Sequence, residues 1–106
     1  MLIGRVKGNV VATQKTAKVG GQKLLLVETY TLDVANGPAA LKGGGRVVVA
    51  VDTVGAGDDE YVLITQGSSA RLTEFTGDMP VDAVIVGIID RVTVEGTTIY
   101  KDKEEA

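Results

Sequence analysis

Apolar and polar positions alternate with a period of two along much of the chain, and helical spacing is almost absent. Leu2, Gly4, Val6, Gly8, Val10 and Ala12 share one side of the first segment, while Arg5, Lys7, Asn9 and Thr13 share the other. This predicts a strand with one wet face. Glycines at 4 and 8 remove bulk from the apolar side, where a small barrel needs a sharp bend or the close approach of another backbone. After a Gly-Gly turn, KLLLVETYTLD (23–33) reads as a second strand. VANGPAALKGGG (34–45) has the residues of turns, and its glycine run predicts a flexible loop between strands. RVVVAVD (46–52) and EYVLIT (60–65) are the third and fourth strands, and VDAVIVGIIDRVTV (81–94) is a last long one. Between them, the segment from Ser68 to Phe75 has room for one or two helical turns, capped by Ser68 or Ser69 and unable to pass Pro80. EGTTIYKD (95–102) predicts a short hairpin or edge strand turning at Glu95-Gly96, followed by a charged end.

Two strands are apolar on both sides. In 46–52 the valines follow one another, and in 81–89 Val81, Ala83, Ile85 and Ile89 line one side while Val84, Val86 and Ile88 line the other. A lone barrel wets its outer face, so these strands predict a second covered surface, most economically supplied by self-association. If the outer face of 46–52 meets a neighbour, Val48→Asp should release monomers, unless Val48 is a core position.

Composition narrows the chemistry. With 106 residues and 44% hydrophobic content the chain is one domain, 1–106, with a barrel at 1–92 and an extension at 93–106. Glycine at 14 residues and abundant Val, Ile and Thr fit an all-β barrel or sandwich. A net charge of −3 leaves no electrostatic footprint for nucleic acid. The absence of both Cys and His removes disulfides, thiolates, the commonest general base and the commonest transition-metal ligand. No cofactor, metal site or catalytic residue is therefore expected. The start MLIGRVKGNVV lacks the features of a signal peptide, and no apolar run approaches the roughly 20 residues that span a bilayer. A cytoplasmic protein with no membrane partner is the expectation.

Each candidate motif has a structural reading beside the chemical one. Gly55-Ala56-Gly57 could cradle a phosphate, but it leads into a strand, has no lysine and is followed by Asp58, Asp59 and Glu60, which repel phosphate. It is also too short for a calcium loop. Gly67-Ser68-Ser69-Ala70-Arg71 lacks the final glycine of a nucleophile elbow and any histidine base; a serine–lysine pair stays open beside helix capping. Arg71 is either solvated or reaches a carboxylate across a subunit boundary with its planar guanidinium. Asp52, Asp82 and Asp90 suit hydrogen bonds to turn amides or ion pairs. Tyr30, Tyr61, Phe75 and Tyr100 offer either stacking faces for single strands or packing in a core or interface.

Four blocks carry a resemblance: GNVVAT with KLLLVE near the start, then AVDTVGAGDDEYVLITQGSSAR and PVDAVIVGIID, spanning most of positions 3 to 90. In this order and spacing the chain resembles the EutN/CcmL family, the vertex proteins of bacterial microcompartments. It departs at GDD, where many members have a Gly-x-Gly turn, and its glycine run at 43–45 lies in a variable region. The resemblance implies a small five-stranded OB-like β-barrel with one short helix and a C-terminal hairpin or edge strand. It also implies a non-enzymatic cyclic pentamer that caps five-fold shell vertices beside hexagonal shell proteins. By analogy, Gly55, Ala56, Gly57, Gly67, Ser68, Ser69, Ala70 and Arg71 are expected at subunit contacts or near the five-fold axis. The tail GTTIYKD resembles that of some metabolosome members and points away from the carboxysome branch. An OB-type module for nucleic acid or oligosaccharide is the alternative, and a small carboxylate enzyme is a third reading, which requires a pocket with a perturbed carboxylate.

Overall fold

A computed structural model describes residues 1–11, 23–67 and 83–102. Seven strands follow in order: β1 (Leu2–Val10), β2 (Lys23–Asp33), β3 (Ala40–Asp52), β4 (Tyr61–Gln66), β5 (Ala83–Ile88), β6 (Arg91–Val94) and β7 (Thr97–Lys101). The first five close into a barrel of order β1-β2-β3-β5-β4, and β6 and β7 form a separate hairpin. All barrel pairings are antiparallel except β3 with β5, which meet in parallel at Val51 and Asp52. This is the expected five-stranded, OB-like arrangement. The segment expected to be helical, 68–75, lies outside the described residues.

β-branched side chains fill the interior because they pack well on a pleated surface with little rotamer freedom to lose. Val6, Val27, Val62, Ile64 and Ile85 are fully buried, joined by Leu25 and Ala50. Alternation in β1 runs as expected as far as Val6, with Gly4 and Val6 inward and Arg5 outward; a register shift at Lys7 then sets Gly8 opposite Leu26 and Val10 opposite Leu24, so these two do not share the core face of Val6 as the pattern predicted. Gly4 is the tightest point. A Cβ there would overlap Val27 Cγ1 and lie 3.2 Å from the Glu28 carbonyl oxygen, so glycine is what lets β1 and β2 approach.

The glycine run departs from expectation. Residues 43–45 lie within β3, not in a loop: Gly43 pairs with Tyr30 and Val47 with Glu28, so three residues of β3, Gly44 to Arg46, stand opposite the single residue Thr29 of β2. Gly45 supplies the positive φ of 78° for this irregularity, and its N–H donates to Glu28 Oε2 at 3.2 Å. Gly43 faces the Glu28 carboxylate and the Tyr30 ring, where a side chain would collide. Glycine here is the signature of a bulge and a close contact, which composition alone makes indistinguishable from a flexible loop. The loop expectation at 34–45 therefore holds only up to Ala39.

The last long strand is really two. Val86 is skipped between the pairs Ile64–Ile85 and Leu63–Gly87, so the alternation flips and Ile88 packs on the core beside Ala83 and Ile85. The chain then leaves the barrel at Ile89 and Asp90, and the hairpin takes Arg91 and Val92 with it. The turn falls at Glu95-Gly96, as expected, with φ of 48° and 83°. Val48 also proves to be an inward residue packed against the core; its neighbours Val47 and Val49 face out. Val48→Asp would thus report on folding, not assembly.

Gly4→Ala should lower unfolding stability by about 1–3 kcal/mol through overpacking. Gly8→Ala, whose added carbon would find Leu26 Cδ1 at a comfortable 3.7 Å, should change it far less. Urea denaturation of the two variants measures the difference.

Candidate functional site

The loop after β3 is built around one carboxylate. Asp52 is 8% exposed, and its Oδ1 accepts the N–H groups of Val54 (3.0 Å) and Gly55 (3.1 Å) while Oδ2 accepts that of Ala56 (2.9 Å). Three amides that would otherwise be orphaned at the strand end converge on a charged acceptor, a stronger arrangement than neutral hydrogen bonds. Gly55 turns the chain with φ of 79°, and Ala56 is then driven into the barrel core. At the far end Gly57 N–H donates to Glu60 Oε1 at 2.6 Å, and Asp59 N–H donates to the Val6 carbonyl at 2.9 Å. Asp59 has a φ of 65°, a left-handed position that Asp tolerates and where a Gly-x-Gly turn would place its second glycine. The acidic triplet is a turn locked onto β1.

The expected site residues separate in space and in role. Gly55 is exposed at the loop tip, Gly57 is half-buried and Ala56 is sealed inside its own subunit. Ala56 anchors the loop and presents no contact surface. Gly67 is exposed just past β4, with φ of 66°. Ser68, Ser69, Ala70 and Arg71 lie outside the described residues, as do Asp82 and Phe75. Asp90 contributes its carbonyl, which accepts the Asp102 N–H at 2.8 Å and ties the hairpin's end to its base.

A second cluster links the hairpin to the barrel. The Tyr61 ring meets Tyr30 edge-on at 5.2 Å and Tyr100 at 4.5 Å, and the Arg5 guanidinium sits 5.1 Å from the Tyr61 ring centre. Edge-to-face rings and a cation over a ring face are both favourable geometries. Arg5 also donates to the Asp59 carbonyl at 3.2 Å, and its hydrogen bond with Tyr30 holds its pKa above the ordinary arginine value. The tyrosines therefore pack with each other instead of offering a row of stacking faces. Tyr30 lies on β2, Tyr61 on β4 and Tyr100 on β7, and nothing in the spacing announced that Tyr100 would fold back onto the other two.

An open depression of about 360 Å³ is lined by Arg5, Asp58, Asp59, Glu60, Tyr100, Lys101 and Asp102. Two cations and four carboxylates share it, so it is a polar surface with an excess of negative charge. Exposed apolar side chains lie elsewhere: Val47 and Val49 on the outward face of β3 are 51% and 47% exposed. That face continues into a buried patch where Val51 and Val84 pack with Leu24 and Val86. The two doubly apolar strands thus do carry apolar groups on both faces.

With this geometry in hand, residues 1–90 match the family described as ethanolamine utilisation protein EutN/carboxysome. The chain belongs to the EutN/CcmL family. It is 43% identical over 105 residues to the carboxysome shell vertex protein CcmL of Gloeobacter violaceus, covering 99% of this chain and 98% of that protein. The solved structure of that CcmL superposes with a TM-score of 0.83 at 42% identity, covering 98% of this chain and all of the other. GrpN of Rhodospirillum rubrum, described as a pentameric microcompartment shell protein, superposes with a TM-score of 0.73 at 40% identity, covering 89% and 99% of the two chains. The CcmL match corrects one expectation. Because it spans 99% of this EutN/CcmL chain, the C-terminal hairpin is shared with a carboxysome protein and does not point away from that branch.

Asp52→Ala should cost about 2–3 kcal/mol, since a charged acceptor is lost and amides are left unsatisfied. Asp52→Asn should cost less, its amide oxygen keeping the Val54 and Gly55 bonds; equilibrium unfolding distinguishes them. Burial pushes the phenols of Tyr61 and Tyr100 above 10.0, with the Asp102 charge adding to the effect at Tyr100. In the unfolded chain they ionise near 10.0, so above that pH the folded state binds more protons and stability falls as pH rises. The melting temperature should fall as the pH rises above about 10, and Tyr61→Phe should make that fall shallower.

Proposed function

We propose that this protein is a structural vertex cap of a bacterial microcompartment shell, in the bacterial cytoplasm, and that it works as a cyclic pentamer. The observation that carries the reading is the family match over residues 1–90, together with full-length similarity to a protein named as a carboxysome shell vertex protein. The 40% identity to a shell protein described as pentameric supports the ring order. Closing a sheet of hexagonal tiles into a polyhedron requires five-fold units at its corners, so the partners are further copies of this chain and hexagonal shell proteins.

The physics of the subunit agrees with a part that works by shape. Its described loop at 53–60 is tied down at both ends, its tyrosines are spent on packing, and part of its exposed apolar surface lies on a strand face suited to a flat contact. Gly55 and Gly57, held in place by Asp52 and Glu60, and the segment of Gly67, Ser68, Ser69, Ala70 and Arg71 are proposed to face a neighbour or the five-fold axis. No preference for a metabolosome over a carboxysome follows from the tail.

Native mass spectrometry at micromolar concentration tests this directly. Five copies of the 11.0 kDa chain should appear as a species of about 55 kDa; a stable monomer would overturn the reading. Arg71→Ala should shift the population to smaller species while leaving the melting temperature of the monomer unchanged. An intact ring with a lowered melting temperature would assign Arg71 to the barrel instead.

A further inference from the structure

The turn between β2 and β3 holds a chemistry that a part working by shape does not use. The sequence has two asparagines, Asn9 and Asn36, and Asn36 is followed by glycine. Both are exposed, so the backbone around each decides what it can do. Asn9 lies inside β1, paired with Leu25 and followed by the β-branched Val10. Asn36 stands in the bend between Asp33 and Ala40, outside either strand. Gly37 comes next with φ of 112°, and no atom lies within 4 Å of where a Cβ would stand. Without a side chain, its nitrogen is uncrowded and its dihedrals can swing.

We propose that Asn36-Gly37 is a self-modification site, at which Asn36 loses its side-chain amide to its own backbone and becomes aspartate or isoaspartate. Hydroxide takes the Gly37 N–H proton, and the freed nitrogen attacks Asn36 Cγ to close a five-membered succinimide. The two groups are tethered in one chain, so no encounter is needed. The Cγ–Nδ2 bond breaks, and Nδ2 takes a proton from water and leaves as ammonia. Water then opens the ring. Cleavage between Cγ and the Gly37 nitrogen gives aspartate on an unchanged main chain; cleavage between the Asn36 carbonyl carbon and that nitrogen gives isoaspartate, with the chain running through Cβ and Cγ. One water is consumed, one ammonia is released and one carboxylate is gained.

The product weakens the bend that formed it. Asp33 Oδ1 accepts the Ala35 N–H at 3.1 Å, and Oδ2 accepts Asn36 Nδ2 at 3.4 Å. A carboxylate at position 36 has no proton to donate and sets a second negative charge against Asp33. Gly37 also lines an open depression of about 510 Å³ with Val34, Val94 and Glu95, so the new charge arises where this turn faces the β6–β7 hairpin.

Peptide mapping of the full-length chain after incubation in mildly alkaline buffer tests the site. Trypsin, cutting after Lys7, Lys15, Lys23 and Lys42, separates Asn9 in peptide 8–15 from Asn36 in peptide 24–42. Peptide 24–42 should gain the mass that separates a hydroxyl from an amino group and split into aspartate and isoaspartate forms. Asn9 must first leave the β1–β2 ladder, so peptide 8–15 should convert at least about tenfold more slowly. Intact chains should show one new acidic form on ion exchange, absent from Asn36→Gln, whose longer side chain closes a larger ring. No conversion in 24–42, equal rates in the two peptides, or an acidic form that persists in Asn36→Gln would overturn the proposal. Conversion is read chain by chain, so none of these outcomes depends on the vertex reading.

Discussion

Closure of the barrel rests on three residues of β1. Ile3, Gly4 and Arg5 pair with β2 on one side, opposite Tyr30, Thr29 and Glu28, and with β4 on the other, opposite Leu63, Val62 and Tyr61. That double pairing turns a curled sheet into a cylinder and satisfies backbone groups that would otherwise form an edge. It also fixes everything outside the core. With Gly4 pressed against Val27, Arg5 must point outward over Tyr61, Tyr100 can then lie against that ring, and the hairpin is held in one orientation. The same seam sets Ile3 beside Leu63 on the outer surface.

How far the fold was legible depended on whether a segment obeyed a single period. β2 runs from Lys23 to Asp33 as read from its pattern, because an apolar stretch bounded by turns has one interpretation. Asp52 was correctly read as a hydrogen-bond partner for turn amides. The misreadings fall where the backbone breaks its own alternation. Gly43 to Gly45 look like a linker, yet they are the bulge that lets β3 pass Glu28 and Tyr30. The apolar run from Ala83 to Ile89 hides a parity change at Val86 and an exit from the barrel, since every residue in it is apolar or glycine and none reports which way it faces. Val48 belongs to the same class: in a run of three valines, only the register against β2 tells the core residue from its outward neighbours.

The candidate site was legible only in part. Two strands with apolar residues on both faces announced apolar groups outside the barrel core, and the structure places half-exposed valines on one of them, β3. The glycine motif, in contrast, drew attention to Ala56, which the Asp52-centred turn has buried. Short motifs encode how a loop is held. They do not encode which of its atoms reach the surface, a property set by packing against β1.

The structural account joins these parts: a closed barrel, a loop at 53–60 pinned by Asp52 and Glu60, and exposed valines on the outer face of β3. A high-resolution cryo-electron microscopy map of the purified full-length assembly tests it most directly. The account predicts a five-fold ring in which Val47 and Val49 of each copy are covered by another chain. A six-fold ring, or a five-fold ring with those valines facing solvent, would contradict it.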